Sequence, residues 1–344
     1  MAHAPTLTAP QSQPPSPSTH VNLRVREITE ADHAAVARLL AKGFQRPVWY
    51  YVEALKRLSR HPTPPDRSKY GFMMEADGVV VGAVLLIFST LPSGGAACTR
   101  CNVTSWYVEP EYKNYAALFT SRALRHKDVT YVNISARPAA RPIILAQGFQ
   151  LYSSGQYVAV PVLHLRSTDG PVQICGVQTA PDALFEMSDY ELLAAHAEFG
   201  CMSLWCLMSG RAYPFVFLPR RFKRVLPGVQ LIYCREIQDV VRFAGPLGRF
   251  LAARGKLVIS IDSNGPIAGL PGRYVKGKSP RFFKGRNPLR PGDISYTQAA
   301  MFPWPWYVSN RCPPENSSSK GRQTLRSRTA TDFARARADF DRFD

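Results

Sequence analysis

The chain has 344 residues, 45% hydrophobic and 20% charged, with a formal net charge of +18. Such a length suits two domains, and such a composition buries real cores, which excludes a wholly disordered protein. The longest apolar run, Val79 to Phe88, is too short for a membrane span of about 20 residues and reads as a buried strand. Counted by halves, the positive charge is spread along the chain and favours anionic partners: nucleic acid, a membrane surface or a phosphorylated small molecule.

Residues 1–20, MAHAPTLTAPQSQPPSPSTH, hold no basic start followed by an apolar stretch, so a disordered Pro/Ser-rich tail is expected rather than a secretion signal. With no export signal, seven cysteines point to reduced thiols and a cytoplasmic protein. Cys98 and Cys101 form a CxxC, but no second pair or nearby histidines complete a zinc set, and no metal is expected.

From residue 21 the chain states one plan twice. Thr29-x-x-Asp32 opens a helix in which Val36, Leu39, Leu40 and Phe44 recur at helical spacing, with Gly43 as the expected stop. Ser188-x-x-Glu191 opens a second, with Leu192, Leu193 and Phe199 before Gly200. Hairpins follow, turning at Asp77-Gly78 and near Ser209-Gly210. The first copy carries an added helical segment, VWYYVEALKRLSR.

The third correspondence sets YVEPEYKNYAALFTSRALRHKDVTYVNIS from Tyr107 beside YCREIQDVVRFAGPLGRFLAARGKLVISID from Tyr233. Each reads as strand, linker, helix, strand, and each leads to a Pro-Ile segment, RPIILAQGFQLY or GPIAGLPGRYV. A shared order of elements implies duplicated α/β modules. The expected division is a tail over 1–20, a first module over 21–165, a linker over 166–185, a second module over 186–310 and a basic tail over 311–344.

VREITEADHAAVARLL, the first hairpin, WYVEPEYKNYAALFTSRAL and ISARPAARPIILAQGFQLY together resemble the signature stretches of the GCN5-related N-acetyltransferases. The resemblance covers roughly residues 22–162 and, through the repeat, extends loosely to about 302. It implies an α/β fold with a mixed sheet, two tandem modules of this type, and central strands that splay apart to hold acetyl-coenzyme A or another acyl-coenzyme A. It also implies that the cofactor's pyrophosphate meets amides at the start of the helix after the fourth strand. A helix N-terminus suits that task, with unpaired N–H groups and a partial positive charge.

The family's phosphate turn reads Arg/Gln-x-x-Gly-x-Gly/Ala. In the first copy Val108, Lys113, Asn114, Tyr115, Ala116 and Ala117 occupy it, with Leu118 departing from the pattern. In the second, Arg242, Phe243, Ala244 and Gly245 fit better by residue type, although Leu247 departs and Gly248 lies one step late. The tyrosine acid often found before the late Gly-aromatic pair is replaced by Ile144 and Ala268. The remaining catalytic candidates are Asp262, at the end of KLVISID, and Tyr107 and Tyr233, at equivalent places in the two copies.

Three readings stand. The preferred one is transfer of an acyl group, acetyl first among the candidates, to an amine of unknown identity. The second is a module that binds acyl-coenzyme A or another anion without turnover, as the missing acid and eroded glycines suggest. The third is an RNA-linked transferase using aminoacyl-tRNA, resting on net charge and on RYVKGKSPRFFKGRNPLR, Arg273 to Arg290, where rings interleave with cations. RRFKR at 220–224 adds a second basic patch.

Overall fold

The computed structural model describes residues 22–93, 96–164, 170–179, 184–222 and 225–303. The tails expected over 1–20 and 311–344 lie outside the described residues.

The first half begins with β1 (Leu23–Glu27), then α1 (His33–Phe44) and α2 (Val48–Arg60). Asp32 accepts from the Thr29 amide at 2.9 Å and joins Thr29 in a capping box that starts the helical stretch. Val36, Leu39 and Leu40 are buried at the predicted spacing. The helix does not stop at Gly43; it runs to Phe44, and Gln45 takes the left-handed conformation at φ 52°. Gly43 serves packing instead: a Cβ there would lie 2.4 Å from the Tyr107 ring.

β2 (Gly71–Ala76) and β3 (Val79–Ser93) turn at Asp77 and Gly78, both at positive φ, and β8 (Met202–Met208) and β9 (Arg211–Phe222) do the same at Ser209 and Gly210. These are the turns whose backbone twist matches that of the flanking strands. β4 (Ala96–Val108), α3 (Ala116–Ala123), β5 (Thr130–Asn133), α4 (Arg141–Ala146) and β6 (Gln150–Ala159) complete the first module. The second comprises β7 (Gln173–Gly176), α5 (Met187–Glu198), β8, β9, β10 (Leu226–Cys234), α6 (Ile237–Arg242), α7 (Ala244–Ala252), β11 (Val258–Ser263) and β12 (Gly272–Lys284). β7 falls within the stretch expected as a linker. α5 starts at Met187 after Glu186, so Ser188 is not its cap. The short α8 (Gln298–Met301) ends the described chain.

All twelve strands form one mixed sheet in the order β1-β2-β3-β4-β5-β12-β6-β11-β10-β9-β8-β7. Read inward from either edge, five strands of one module are followed by the last strand of the other, then by the module's own last strand. The two modules have exchanged strands. β12 pairs antiparallel with β5 on one side and β6 on the other, so the centre belongs to both halves.

One face carries α3 and α4 over Val84, Leu86 and Phe88, and α6 and α7 over Phe215, Phe217 and Ile259. The other carries α1 and α2 over Ala83, Leu85 and Ile87, and α5 over Trp205, Val216 and Ile232.

Candidate active site

Parallel strands β4 and β5 pair only from Arg100↔Thr130 to Asn102↔Val132. Beyond Asn102, β4 has no ladder partner on its β5 side among the described residues. A register shift against β3 follows, and Ser105 takes φ 51°. Such a bulge bends the strand away from its neighbour. The second module repeats the arrangement: β10 and β11 pair from Gly228↔Val258 to Gln230↔Ser260, and β10 shifts register against β9 between Leu231 and Tyr233.

The second splay is filled by the chain itself. The Ile294 amide donates to the Ile232 carbonyl at 2.9 Å, the Cys234 amide to Gly292 at 2.9 Å, and Tyr233 bridges Asp293. Arg290 donates to the Cys234 and Arg235 carbonyls and lies over the Tyr233 ring. The same segment reaches back to the first module. Asp293 forms a buried ion pair with Arg100 at 2.7 Å, and the Gln298 amide donates to Asn102 Oδ1 at 2.8 Å. Burial pushes the Asp293 carboxyl up, but Arg100 and Arg290 outweigh it and hold it at about 2.

The phosphate turns diverge as well, against residue type. Ala244 and Gly245 are buried and Phe243 is fully enclosed. The Phe243 amide is spent on Asp239 and the Leu247 amide on Phe243, so no free helix start is presented there. Gly248 is present for packing: an added Cβ would sit 2.4 Å from the Val162 amide nitrogen. Arg242 lies outside, over Tyr213 at 5.7 Å. Burial thus sets the second turn apart from the expectation that residue type raised for it.

In the first module, Pro110–Tyr115 forms a 3-10 turn leading into α3. Lys113, Asn114, Tyr115 and Ala117 are exposed, while Val108 and Ala116 are half-buried. The Tyr112 amide donates to Glu109 and the Ala116 amide to Lys113, which leaves a smaller amide cradle than a glycine-rich turn would give. The open splay and the exposed Lys113 fit an acyl-coenzyme A.

Of the catalytic candidates, Asp262 is occupied. Arg281 donates to both its oxygens, at 3.0 and 3.2 Å, and Gln156 donates at 3.1 Å. In the structure it is the buried counter-ion of Arg281 on β12. Tyr233 donates to Asp189 at 2.7 Å inside the filled splay. Tyr107 alone stands beside an open splay, donating to Glu109 at 2.9 Å, with Lys42 on the other carboxylate oxygen at 2.7 Å. Burial and then that bond to Glu109 push the Tyr107 hydroxyl up, so it keeps its proton at neutral pH. Burial pushes the Glu109 carboxyl up too, but Lys42 and Tyr107 outweigh it and hold the group below its ordinary value.

Tyr51 of α2 is expected from the sequence, with Trp49 and Tyr50, to wall the acceptor's pocket and is not among the catalytic candidates. It is 3% exposed, its hydroxyl hydrogen-bonds Ser105 at the β4 bulge, and burial pushes its pKa up. Phe44 lies between the two tyrosines, 6.2 Å from each ring. The signal was available: Tyr51, Ala54, Leu55 and Leu58 form one apolar helical face, and only Tyr51 on it carries a hydroxyl.

No protein-family model matches the chain, and no curated protein matches it in sequence. Solved structures match in fold. A GCN5-related N-acetyltransferase from Anabaena variabilis aligns with 76% of this chain and 72% of its own, at 11% identity and a TM-score of 0.52. A conserved protein from Enterococcus faecalis, described as a probable N-acyltransferase, aligns over 77% and 72%, at 10% identity and a TM-score of 0.51. The fold is thus that of the GCN5-related N-acetyltransferases, built as two tandem modules on one mixed sheet.

Proposed function

We propose that the protein is an acyl-coenzyme A-dependent N-acyltransferase whose working cleft is the β4–β5 splay of the first module, with the second module as its scaffold. The observation that carries this is the contrast between the splays: one has an unpaired β4 edge beyond Asn102, the other is occupied by residues 292–294. Acyl-coenzyme A supplies the activated thioester. Val108 and the turn through Ala117 lie where its phosphates would run, and Lys113 supplies the charge.

Tyr107 and Tyr51 stay protonated on either side of Phe44, so each can donate a proton to a departing thiolate. Glu109 fixes the Tyr107 hydroxyl, and Ser105 fixes that of Tyr51. The amine acceptor would enter beside α2, where Trp49 and Val52 are exposed and Arg137 lies 4.7 Å over Phe44.

Calorimetric titration with acetyl-coenzyme A tests this reading. One saturable site is expected, weakened by Lys113→Ala about fivefold, as for one exposed charge contact worth about 1 kcal/mol. Arg242→Ala should leave it unchanged. No saturable binding by the folded protein would remove the reading, and a loss confined to Arg242→Ala would move the site to the second module.

A further inference from the structure

The positive charge is concentrated in space although it is spread between the halves of the sequence. Between Phe199 and Gly292 the only acids are Glu236, Asp239 and Asp262, among many arginines and lysines. Asp239 is buried at the start of α6. Asp262 is spent on Arg281. It also points away from α7, since its neighbour Ile261 packs in the α7 core and side chains alternate along a strand. Only Glu236 is exposed, at the far end of α6.

The stretch Arg273–Arg290, which the sequence offers as the basic strip, is divided: Arg273, Lys276, Lys278 and Arg286 are exposed, and the rest is structural. Phe282 is in the core, Arg281 pairs with Asp262, Lys284 donates to the Gln147 carbonyl at 2.7 Å, and Arg290 holds the crossing segment. A second set of accessible cations lies on the outer face of α6 and α7. Arg242, Arg249 and Arg254 are exposed there, and Lys256 is half-buried just beyond. Arg211 is exposed at the end of β9, whose Tyr213 hydroxyl accepts from Arg242 at 3.3 Å. None of these five has an ion-pair partner among the described residues. Arg242 and Arg254 are held in place by rings, the latter 3.5 Å from the Phe250 centroid.

We infer that this face of α6 and α7 binds the phosphodiester backbone of a nucleic acid, single-stranded RNA foremost. A row of unpaired cations suits a polymer of regularly spaced charges, whereas a single small anion would be met by converging groups. Guanidinium planes fixed on rings also offer stacking surfaces to unpaired bases. A membrane surface fits less well. Between Phe199 and Gly292 the one exposed large hydrophobic among the described residues is Val225, and the turn packed on α7 adds only Leu163, too little apolar surface to anchor the row in the acyl region. This inference does not depend on the acyltransfer reading.

The test is fluorescence anisotropy of the full chain with short labelled single-stranded RNA, duplex DNA of equal length, and phosphatidylserine vesicles. Five phosphate contacts predict that RNA affinity falls roughly a hundredfold between about 50 and 200 mM salt. The variant R249Q/R254Q/K256Q should lose at least about tenfold in affinity at the lower salt and about two units of the salt slope. The control R38Q/K56Q/R60Q removes the same charge from exposed positions on α1 and α2 and should retain binding. Binding of both nucleic acids marks the backbone as the ligand, and binding of RNA alone marks the single strand. Equal losses in the two variants, absence of saturable RNA binding at low salt, or binding of vesicles alone would each overturn the inference.

Discussion

The two splays share one arrangement of strands and differ in what lies against the free edge of β4 in the first module and of β10 in the second. Tyr107 and Tyr233 both follow a bulge, and each donates to a carboxylate. Glu109 and Tyr107 border a β4 edge that has no ladder partner among the described residues; Asp189 and Tyr233 are sealed by Arg290 and the bridge to Asp293. The residue types at a cleft therefore decide little until it is known whether the cleft exists. Arg242 to Gly245 look more like a phosphate turn than Lys113 to Ala117, yet Phe243, Ala244 and Gly245 are buried in helix packing and only Arg242 is exposed.

Removal of Asp293 should have the largest effect. Asp293→Ala leaves Arg100 charged and buried without its partner, a change that costs about 3–5 kcal/mol. Urea denaturation would register it, and a loss below about 1 kcal/mol would mean that the crossing segment is not anchored as described. If the variant folds, a second acetyl-coenzyme A site in calorimetry would show the filled cleft to be only masked.

Acid should loosen the same segment. His196 donates from Nδ1 to the Leu192 carbonyl and accepts the Tyr296 amide at Nε2, and His61 donates to the Phe88 carbonyl. Burial depresses both to about 4, from an ordinary 6.5. The unfolded chain therefore takes up these protons first as pH falls, and folded stability is lost from pH 6.5 down towards 4. Each histidine contributes up to about 1.4 kcal/mol per pH unit in that window. Denaturation midpoints at pH 7 and 5.5 check this, and equal midpoints would contradict it.

Smaller effects separate the turns. Gly248→Ala should cost about 1–3 kcal/mol by overpacking against Pro161 and Val162, with coenzyme binding intact in whatever protein remains folded. Ala116→Gly in the first turn should cost no more than about 1 kcal/mol, the helix penalty of glycine. A thermal melt paired with calorimetry distinguishes packing from ligand contact in both cases.

Local chemistry was legible in the sequence. The turns at Asp77-Gly78 and Ser209-Gly210, the capping pair Thr29 and Asp32, and the inserted helix α2 all follow from propensity and periodicity acting within a few residues. The order of repeated elements announced two modules. What escaped depends on distant partners. Gly43 looks like a helix stop and is instead the seat of a tyrosine more than sixty residues away. The irregular stretch after Lys284 has no period to mark it, yet it fills one cleft and pins the other. Asp262 looks like a free carboxylate at a strand end until Arg281 is seen beside it.

The exchange of final strands also sets an order of events in synthesis. β5 cannot close its inner edge until β12 has left the ribosome, more than a hundred residues after β6. At elongation rates of about 5–20 residues per second, that edge waits on the order of ten seconds. The nascent first half is therefore an incomplete sheet offering backbone hydrogen bonds to any passing strand. A nonsense codon or ribosome stall in the second half would release a sticky fragment, not a smaller self-contained module.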